Sequence, residues 1–265
     1  MYDSRIHNTM NDFKKLKSLL DVWPEAVPNS LICDVQSKKQ KSLRASEVVS
    51  YLLPPLKGKK VLDFGCGEGH MAREAGTLAA YSVGYDINAP EDGDFEWEKE
   101  HENTLLTTDP DKVEGKFDVV LVYDVLDHVV GNIVPVIHQI IRFCKPGGVM
   151  IFRCHPWCGR HGGHLYQQIN KAFVHLVFTD DELESMGYEV PHNKKVCFPL
   201  ATYRKWLKNA GFKITDFSIF SSDEKKPEGF FRKGVVLKRI QEVIKKDSFP
   251  EHQLRQSFVD FSIMR

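Results

Sequence analysis

Residues 61–69 read Val-Leu-Asp-Phe-Gly-Cys-Gly-Glu-Gly, and this stretch decides the fold. Its first four residues are mainly apolar and predict a short buried strand, after which a helix is expected from about His70. Glycines at such a junction let the backbone turn sharply and let a ligand approach it closely, which side chains would prevent. The stretch therefore predicts a strand, a turn and a helix that together form a nucleotide-binding loop.

The glycine spacing separates two classes of nucleotide-binding loop. Gly65, Gly67 and Gly69 follow the pattern G-x-G-x-G, whereas the dinucleotide fingerprint G-x-G-x-x-G has its third glycine one residue later. The next predicted strand, Tyr81 to Asp86, ends in a carboxylate placed to bind both hydroxyls of a ribose, a feature that both classes use. The spacing therefore argues against a nicotinamide enzyme.

Strands alternate with helices after Lys60, which predicts a parallel sheet. The further strands predicted after Asp86 are Phe117 to Tyr123 and Val149 to Phe152, with a helix at about Ile133 to Phe143. Two later strands, at about 213–220 and 257–264, flank a helix marked by Val236, Leu237, Ile240, Val243 and Ile244. We expect Lys145 to Gly148 to form a turn, and Thr179 to Glu182 to be the capping box of a short helix.

Four motifs occur in a fixed order: VLDFGCGEG, YSVGYDIN, FDVVLVYDVLDHV and KPGGVMIF. This series, over about residues 60–153, resembles that of the class I S-adenosylmethionine-dependent methyltransferases. The segment YRKWLKNAGFKITDF also resembles the one that precedes the antiparallel end of their fold. The resemblance implies an α/β Rossmann-like sheet, mostly parallel with an antiparallel last strand, and helices on both faces. It also implies S-adenosyl-L-methionine as cofactor and S-adenosyl-L-homocysteine as product.

The resemblance also implies which residues form the cofactor site. The loop would hold the methionine part of the cofactor, Asp86 the ribose hydroxyls, and Ile87 would pack on adenine. The residue of the third strand that contacts adenine is left open between Phe95 and Asp109. The cofactor-binding residues expected from the resemblance are Asp63, Gly65, Cys66, Gly67, Gly69, Asp86, Ile87, Tyr123 and Asp124.

We expect residues 1–265 to form one methyltransferase domain of four parts. Residues 1–41 form an N-terminal helical extension acting as a lid, and residues 42–153 form the cofactor-binding half. Residues 154–200, an insertion after the fifth strand, lie on the substrate side, because ligands of open α/β sheets bind beyond the carboxyl ends of the strands. Residues 201–265 form a C-terminal helix and antiparallel strands.

The stretch from Arg153 to Tyr166 is unusually rich in histidine, arginine and aromatic residues, which could supply a base, an anion clamp and a stacking platform. The residues expected to be catalytic are His155, the first choice for a base, with His161 and Arg153. The residues expected to bind the substrate are Trp157, Arg160, His164 and Tyr166. We expect no metal, although Cys154, Cys158, His161 and His164 form an alternative zinc set whose spacing is not a standard finger pattern. Asp127 is interpreted as a helix cap.

Charge and composition limit the partners. The net charge is +0, yet residues 1–60 carry 11 Lys and Arg against 6 Asp and Glu, residues 86–130 carry 3 against 14, and residues 191–246 carry 14 against 5. The six cysteines are sparse, and the first ten residues contain no basic leader followed by an apolar run. No segment approaches 18 consecutive apolar residues, so we expect a cytosolic protein with no membrane partner.

Several functions remain open at this point. The favoured one is transfer of a methyl group to an oxygen or nitrogen of a small molecule. A nucleotide or nucleic-acid acceptor is the alternative, because the two flanks are basic and the insertion contains aromatic and arginine side chains. A non-catalytic cofactor-binding or partner subunit is a third hypothesis, and a nicotinamide oxidoreductase is the least favoured.

Overall fold

The computed structural model describes residues 4–26, 37–165, 168–190, 200–221, 234–247, 251, 254 and 256–265. The helices in chain order are α1 Ser4–Leu19, α2 Lys38–Leu52, α3 His70–Leu78, α4 Val134–Ile140, α5 Val174–Val177, α6 Asp180–Ser185, α7 Leu200–Asn209 and α8 Gly234–Asp247. The strands are β1 Lys60–Phe64, β2 Tyr81–Tyr85, β3 Thr104–Thr107, β4 Phe117–Tyr123, β5 Cys144–Cys154, β6 Ile214–Ser221 and β7 Gln256–Met264. Short 3₁₀ turns cover Leu20–Val22, Pro110–Lys112 and Leu126–His128.

The strands form a seven-stranded sheet in the order β3-β2-β1-β4-β5-β7-β6. Neighbours from β3 to β5 pair in parallel, whereas β7 runs antiparallel to both β5 and β6. This topology confirms the predicted Rossmann-like sheet with an antiparallel last strand. It also brings the carboxyl ends of β1, β2 and β4 to one edge, where the predicted cofactor residues follow.

Alternation along the central strands explains why helices cover both faces. Successive residues of one strand, such as Val61 and Leu62, point to opposite faces and enter two different apolar clusters. One cluster includes Ile137 of α4 and Tyr203 of α7, and the other includes Val49 of α2. A strand buried on both faces reads as an apolar run, which is the pattern seen at 61–64 and 117–123.

Two details of the sheet differ from the predictions. The bounds of strand β3, Thr104–Thr107, were not predicted, although it lies within the stretch 95–109 where the third strand was expected, and it pairs in parallel with β2. The segment Lys145–Gly148 lies inside β5 rather than in a turn between elements. Phe117 pairs with Cys144 and Val119 with Val149, so those four residues bulge opposite a single position of β4. Gly147 provides the positive φ of 77° that the bulge needs.

The N-terminal helix packs on the insertion and on α8. Leu16 is fully buried in an apolar cluster with Phe173 and Val236, and the Trp23 indole Nε1 donates a hydrogen bond to the Ala172 carbonyl at 2.7 Å. The predicted capping box is confirmed, because Thr179 and Glu182 bond reciprocally at the start of α6. The division into lid, cofactor half, insertion and C-terminal part stays a prediction.

The cysteines of the described ranges form no disulfide. Cys66, Cys144, Cys154 and Cys158 are free thiols, while Cys33 and Cys197 lie outside the described residues. Among the helices of those ranges, none is both long and apolar enough to cross a membrane.

Candidate active site

The glycine loop folds over the end of β2. The backbone N–H groups of Gly65 and Cys66 both donate to the Tyr85 carbonyl, at 2.7 and 3.1 Å. Gly67 and Gly69 have φ angles of 54° and 88°, which glycine adopts without the steric penalty of a Cβ. Gly69 is the residue that precedes α3. The loop is therefore held by backbone bonds in a shape that this sequence permits.

Asp86 closes the loop from the next strand. Its Oδ2 accepts a hydrogen bond from the backbone N–H of Gly67 at 2.8 Å. A Cβ built on Gly67 would meet nothing within 4 Å, whereas one on Gly69 would lie 2.5 Å from Leu106. Open space thus lies on the Gly67 side of the loop, next to an acidic side chain. The neighbouring Ile87 is 76% exposed, so its apolar surface is available to a ligand.

Asp63 is buried beneath the loop. It is 2% exposed, and its Oδ2 has no hydrogen-bond partner among the described residues. Burial raises the pKa of Asp63 to about 7, although a hydrogen bond from the Ala72 backbone opposes the shift. Burial also raises the pKa of the Cys66 thiol, so this side chain stays protonated and does not act as a nucleophile.

The third strand does not identify the residue that would contact adenine. Beyond β3, Thr108 donates its backbone N–H to Glu98 at 2.7 Å, and Asp109 accepts from the Asp111 backbone in the following 3₁₀ turn. Burial alone would raise the pKa of Glu98, but hydrogen bonds from Lys112, Thr108 and Thr107 outweigh this effect and lower the pKa to about 2. These acidic groups are therefore engaged within the protein.

Tyr123 ends β4 and Asp124 follows it at the same edge of the sheet. Arg44 of α2 reaches both, with its Nη2 3.2 Å from the Tyr123 hydroxyl and 4.0 Å from Asp124 Oδ2. Asp124 has a φ of 52°, unusual for a residue with a side chain. A Cβ on Gly65 would approach Val125 to 2.4 Å, so the glycine loop and the segment after β4 are in close contact.

His155, the residue after β5, contacts both the segment that follows β4 and the insertion. Its Nε2 lies 3.5 Å from Asp124 Oδ1, and its Nδ1 lies 3.1 Å from Nε2 of His161. Burial raises the pKa of Asp124, but the hydrogen bond and charge of His155 in its protonated form, with the charges of Arg44 and Arg153, outweigh it and lower that pKa. Burial and the neighbouring His155 lower the pKa of His161 to about 3, so it is neutral at physiological pH. The structure thus brings together two of the predicted catalytic residues.

Asp127 is the residue that sequence reasoning misjudged. It does not cap a helix; it is fully buried in the 3₁₀ turn after β4, and its Oδ2 accepts the backbone N–H of His155 at 3.1 Å. The same oxygen lies 3.6 Å from His164 Nε2. Burial and then the charge of Asp124 raise the pKa of Asp127. The available signal was the pair of acids three residues apart, followed by His128, directly after a buried strand.

Arg153 is held within the sheet rather than presented to an open cleft. Its Nε and Nη2 atoms each donate to one oxygen of Asp260 on β7 at 2.6 Å, and both side chains are buried. Its guanidinium also lies 5.3 Å from the centroid of the Tyr123 ring. Although burial lowers the pKa of Arg153, its hydrogen bonds with Asp260 and Tyr123 raise it overall. A direct catalytic role for Arg153 stays a prediction.

The predicted substrate-binding residues lie in different environments. Trp157 is 2% exposed in the apolar cluster of the insertion, with its ring 5.8 Å from that of His175, so it is not an open stacking platform. Arg160 donates to the backbone carbonyls of Glu25 and Ala26. His164 is near the active-site acids, and Tyr166 lies outside the described residues.

The alternative zinc set is not gathered in the described residues. Burial raises the pKa of Cys158 to about 12, which disfavours the thiolate that zinc requires, and Cys154 is buried at the end of β5. Three groups do bring at least three metal-ligating side chains together, and none of them contains a cysteine: Asp127, His128 and His164; Glu68, His70 and Asp94; Asp124, Asp127 and His155.

Comparison with known proteins extends this picture. A methyltransferase-domain family model matches residues 37–216. The ubiquinone biosynthesis O-methyltransferase of Escherichia coli O127:H6 (strain E2348/69 / EPEC) is 34% identical over 112 residues, which cover 36% of this chain and 42% of that protein. The protein of the same name from Shigella boydii serotype 18 (strain CDC 3083-94 / BS512) gives the same values. The chain thus spans about two fifths of the length of the curated relatives it matches.

Two solved structures of methyltransferases are also similar to this chain. Phosphoethanolamine N-methyltransferase 2 of Haemonchus contortus, in complex with S-adenosyl-L-methionine, has a TM-score of 0.48 and 14% identity, covering 84% of this chain and 52% of that one. A putative S-adenosylmethionine-dependent methyltransferase from Listeria monocytogenes has a TM-score of 0.48 and 16% identity, covering 84% and 99%.

The family model spans the glycine loop, Asp86 and the segment after β4, and it continues through α7. The strand order and the antiparallel β7 agree with the Rossmann-like sheet expected from the sequence. The predicted cofactor, S-adenosyl-L-methionine, is thereby confirmed. The chain belongs to the class I S-adenosylmethionine-dependent methyltransferases.

Proposed function

We propose that this protein transfers the methyl group of S-adenosylmethionine to an oxygen or nitrogen of a small-molecule acceptor, with His155 as the general base. The observation that carries the proposal is the position of His155, between Asp124 and His161 at the edge of the sheet that also holds the glycine loop. The ubiquinone biosynthesis enzymes, O-methyltransferases by name, support oxygen as the acceptor atom.

The residues at the loop fit the cofactor. Gly67 leaves open space where the backbone is bare, Asp86 presents a carboxylate, and the buried Oδ2 of Asp63 can accept a further hydrogen bond. Asp63 and the loop would hold the methionine part and Asp86 the ribose hydroxyls. When bound, S-adenosylmethionine supplies an electrophilic methyl group on a positively charged sulfur. The Asp86 carboxylate beside the loop favours a cationic ligand.

The histidine pair determines how a proton would leave the acceptor. His161 remains unprotonated because burial lowers its pKa, so its Nε2 can accept a hydrogen bond from Nδ1–H of His155. In this tautomer Nε2 of His155 carries no hydrogen, so it would take the acceptor's proton as the acceptor–methyl bond forms, the methyl–sulfur bond breaks and S-adenosylhomocysteine leaves. Asp124, 3.5 Å from Nε2, then stabilises the imidazolium.

The placements of the insertion residues favour a small acceptor over a nucleic acid. Trp157 is buried, Arg153 is paired with Asp260, and Arg160 is bound to backbone carbonyls of the N-terminal segment. Three of the side chains that motivated the nucleotide alternative are therefore engaged elsewhere. We also propose a cytosolic location, in line with the free thiols, and an acceptor recognised by residues 154–200.

Cofactor binding provides the first test, by calorimetric titration with S-adenosylmethionine and S-adenosylhomocysteine. Asp86→Ala should weaken binding by about 1–3 kcal/mol, as expected for loss of a charged hydrogen-bonding group. Asp92→Ala removes an exposed carboxylate of the same region and is the matched control, with no expected change. Absence of binding to the wild type would overturn the proposal and favour a non-catalytic or partner-dependent role.

The base is tested separately, once an acceptor screen has identified a substrate. His155→Gln should lower kcat by about 10²–10⁴-fold and leave cofactor affinity unchanged, because His155 acts on the acceptor's proton. A His155→Gln enzyme with near-normal kcat would exclude His155 as the base.

A further inference from the structure

A group of possible metal ligands lies next to His155, whose backbone N–H donates to one of its members, Asp127. Asp127, His128 and His164 bring one ligand atom each within 4.8 Å of one another. Asp127 and His128 belong to the 3₁₀ turn after β4, and His164 comes from the insertion after β5. Two imidazoles and one carboxylate, supplied from two separate segments, form a donor set that proteins use for divalent transition metals.

The backbone of the insertion is shaped to bring His164 to this place. Gly162 and Gly163 precede it, and a Cβ on either would lie within 2.5 Å of Pro156, Trp157 or His175. His164 itself has a φ of 51°, a left-handed conformation that a side chain disfavours. Such strained conformations persist where the surrounding structure requires them, and they are concentrated at functional sites.

The placement of the side chains also suits a cation, because His164 Nε2 lies 3.6 Å from Oδ2 of Asp127. The rings of His128 and His164 lie 4.8 Å apart, a close approach of two groups that a shared ion would link. His128 is exposed, which gives an ion a route from solvent.

The other two groups of metal-ligating residues are weaker candidates. In the group of Glu68, His70 and Asp94, the ammonium of Lys41 pairs with Glu68 and lies 3.8 Å from Asp94, so a cation is already present. In the group of Asp124, Asp127 and His155, Arg44 lies 4.0 Å from Asp124 and balances its charge. The group of Asp127, His128 and His164 differs from both in combining two imidazoles with a single carboxylate.

We propose that Asp127, His128 and His164 bind one divalent transition-metal cation beside His155. Three protein ligands leave coordination positions open, as in metal sites that bind a substrate. The backbone N–H of His155 donates to Asp127, so the proposed base and the metal site share one hydrogen-bond network. An ion here would orient an acceptor oxygen and make its proton more acidic. Binding of the ion itself does not depend on the proposed base.

The test uses the full-length protein after removal of metal by chelator and dialysis. Titration with Co²⁺, followed by visible absorption, should show one ion per chain, and Zn²⁺ should displace it. Mg²⁺ should compete poorly, because imidazole ligands favour transition metals. Failure of the wild type to bind either Co²⁺ or Zn²⁺ stoichiometrically would overturn the proposal.

Variants then assign the ligands. His128→Gln and His164→Gln should each weaken Co²⁺ binding by at least about tenfold, while His101→Gln, at an exposed histidine outside the three clusters, should not. Because His128 is exposed, its variant is expected to fold, and thermal melting checks this. If only His155→Gln weakened binding, the ion would belong to the neighbouring group and the assignment to His128 and His164 would be wrong. Cofactor titration of the same variants separates this result from any failure of the proposed transferase activity.

Discussion

The pair formed by Arg153 and Asp260 should be the most sensitive electrostatic contact between β5 and β7. Two hydrogen bonds of 2.6 Å join them in a bidentate arrangement, and the two residues are 7% and 8% exposed. Asp260→Ala would leave the guanidinium buried without its carboxylate. Because Arg153 remains charged at any accessible pH, the protein cannot relieve this by deprotonation.

The expected magnitude follows from burial. Removal of one partner from a buried ion pair destabilises a protein by about 3–5 kcal/mol, since the remaining charge loses its compensation. For a protein of this size, each kcal/mol lowers Tm by about 2–4 °C, so a decrease of about 10 °C is expected. The exposed pair of Lys99 and Glu96 is the control, and Lys99→Ala should change stability by less than about 0.5 kcal/mol.

Urea unfolding monitored by circular dichroism measures the loss of stability in Asp260→Ala and in the control Lys99→Ala. The double variant Arg153→Leu with Asp260→Leu should recover much of the loss, because it removes both charges together. The reasoning would be refuted by an Asp260→Ala protein that loses less than about 1 kcal/mol. A double variant as unstable as the sum of the two single variants would refute it equally, because the two charges would then not be coupled.

Two further outcomes are expected. Gly67→Ala should weaken S-adenosylmethionine binding more than it lowers stability, because its methyl group enters the open space beside the loop. Gly69→Ala should mainly lower stability, because its methyl group overlaps Leu106. Calorimetry measures the affinity and urea unfolding the stability of both variants, and equal effects of the two variants on affinity would contradict the reasoning. Burial lowers the folded-state pKa of His161 from 6.5 to about 3, so protonation favours unfolding and stability falls as pH drops below about 6.5. His161→Gln should therefore lose less stability than wild type between pH 7 and pH 4, by up to about 3 kcal/mol in urea unfolding at the two pH values, and a loss equal to that of the wild type would contradict this.

Local patterns were sufficient for the parts of the fold whose contacts are close in sequence. The loop from Gly65 to Gly69 could be predicted because a buried strand, the glycines and the start of a helix are consecutive. The bounds of strand β3 within 95–109 could not be predicted, because its four residues show no clear alternation and its strand character comes from pairing with β2. The bulge at Lys145–Gly148 likewise depends on how β5 pairs with β4.

Side chains in the insertion show why residue type alone did not predict their roles. The stretch after Arg153 was expected to face the substrate, yet Trp157 packs in the apolar cluster that includes Leu16 of α1. Burial by a helix more than 130 residues away leaves no trace in local sequence. Asp127 was misjudged for the same reason, because its partner, the backbone of His155, lies 28 residues further along the chain.

The same long-range bonds connect stability to the position of the proposed base. Asp260 holds Arg153 at the end of β5, and the Arg153 carbonyl accepts the backbone N–H of Asp124 at 2.9 Å. Two residues later, the backbone N–H of His155 donates to Asp127. One backbone–backbone bond and one bond from the His155 backbone to the buried Asp127 carboxylate thus set the separation of Asp124 and His155. It follows that Asp260→Ala, although distant from the glycine loop, should lower kcat more than it weakens cofactor binding.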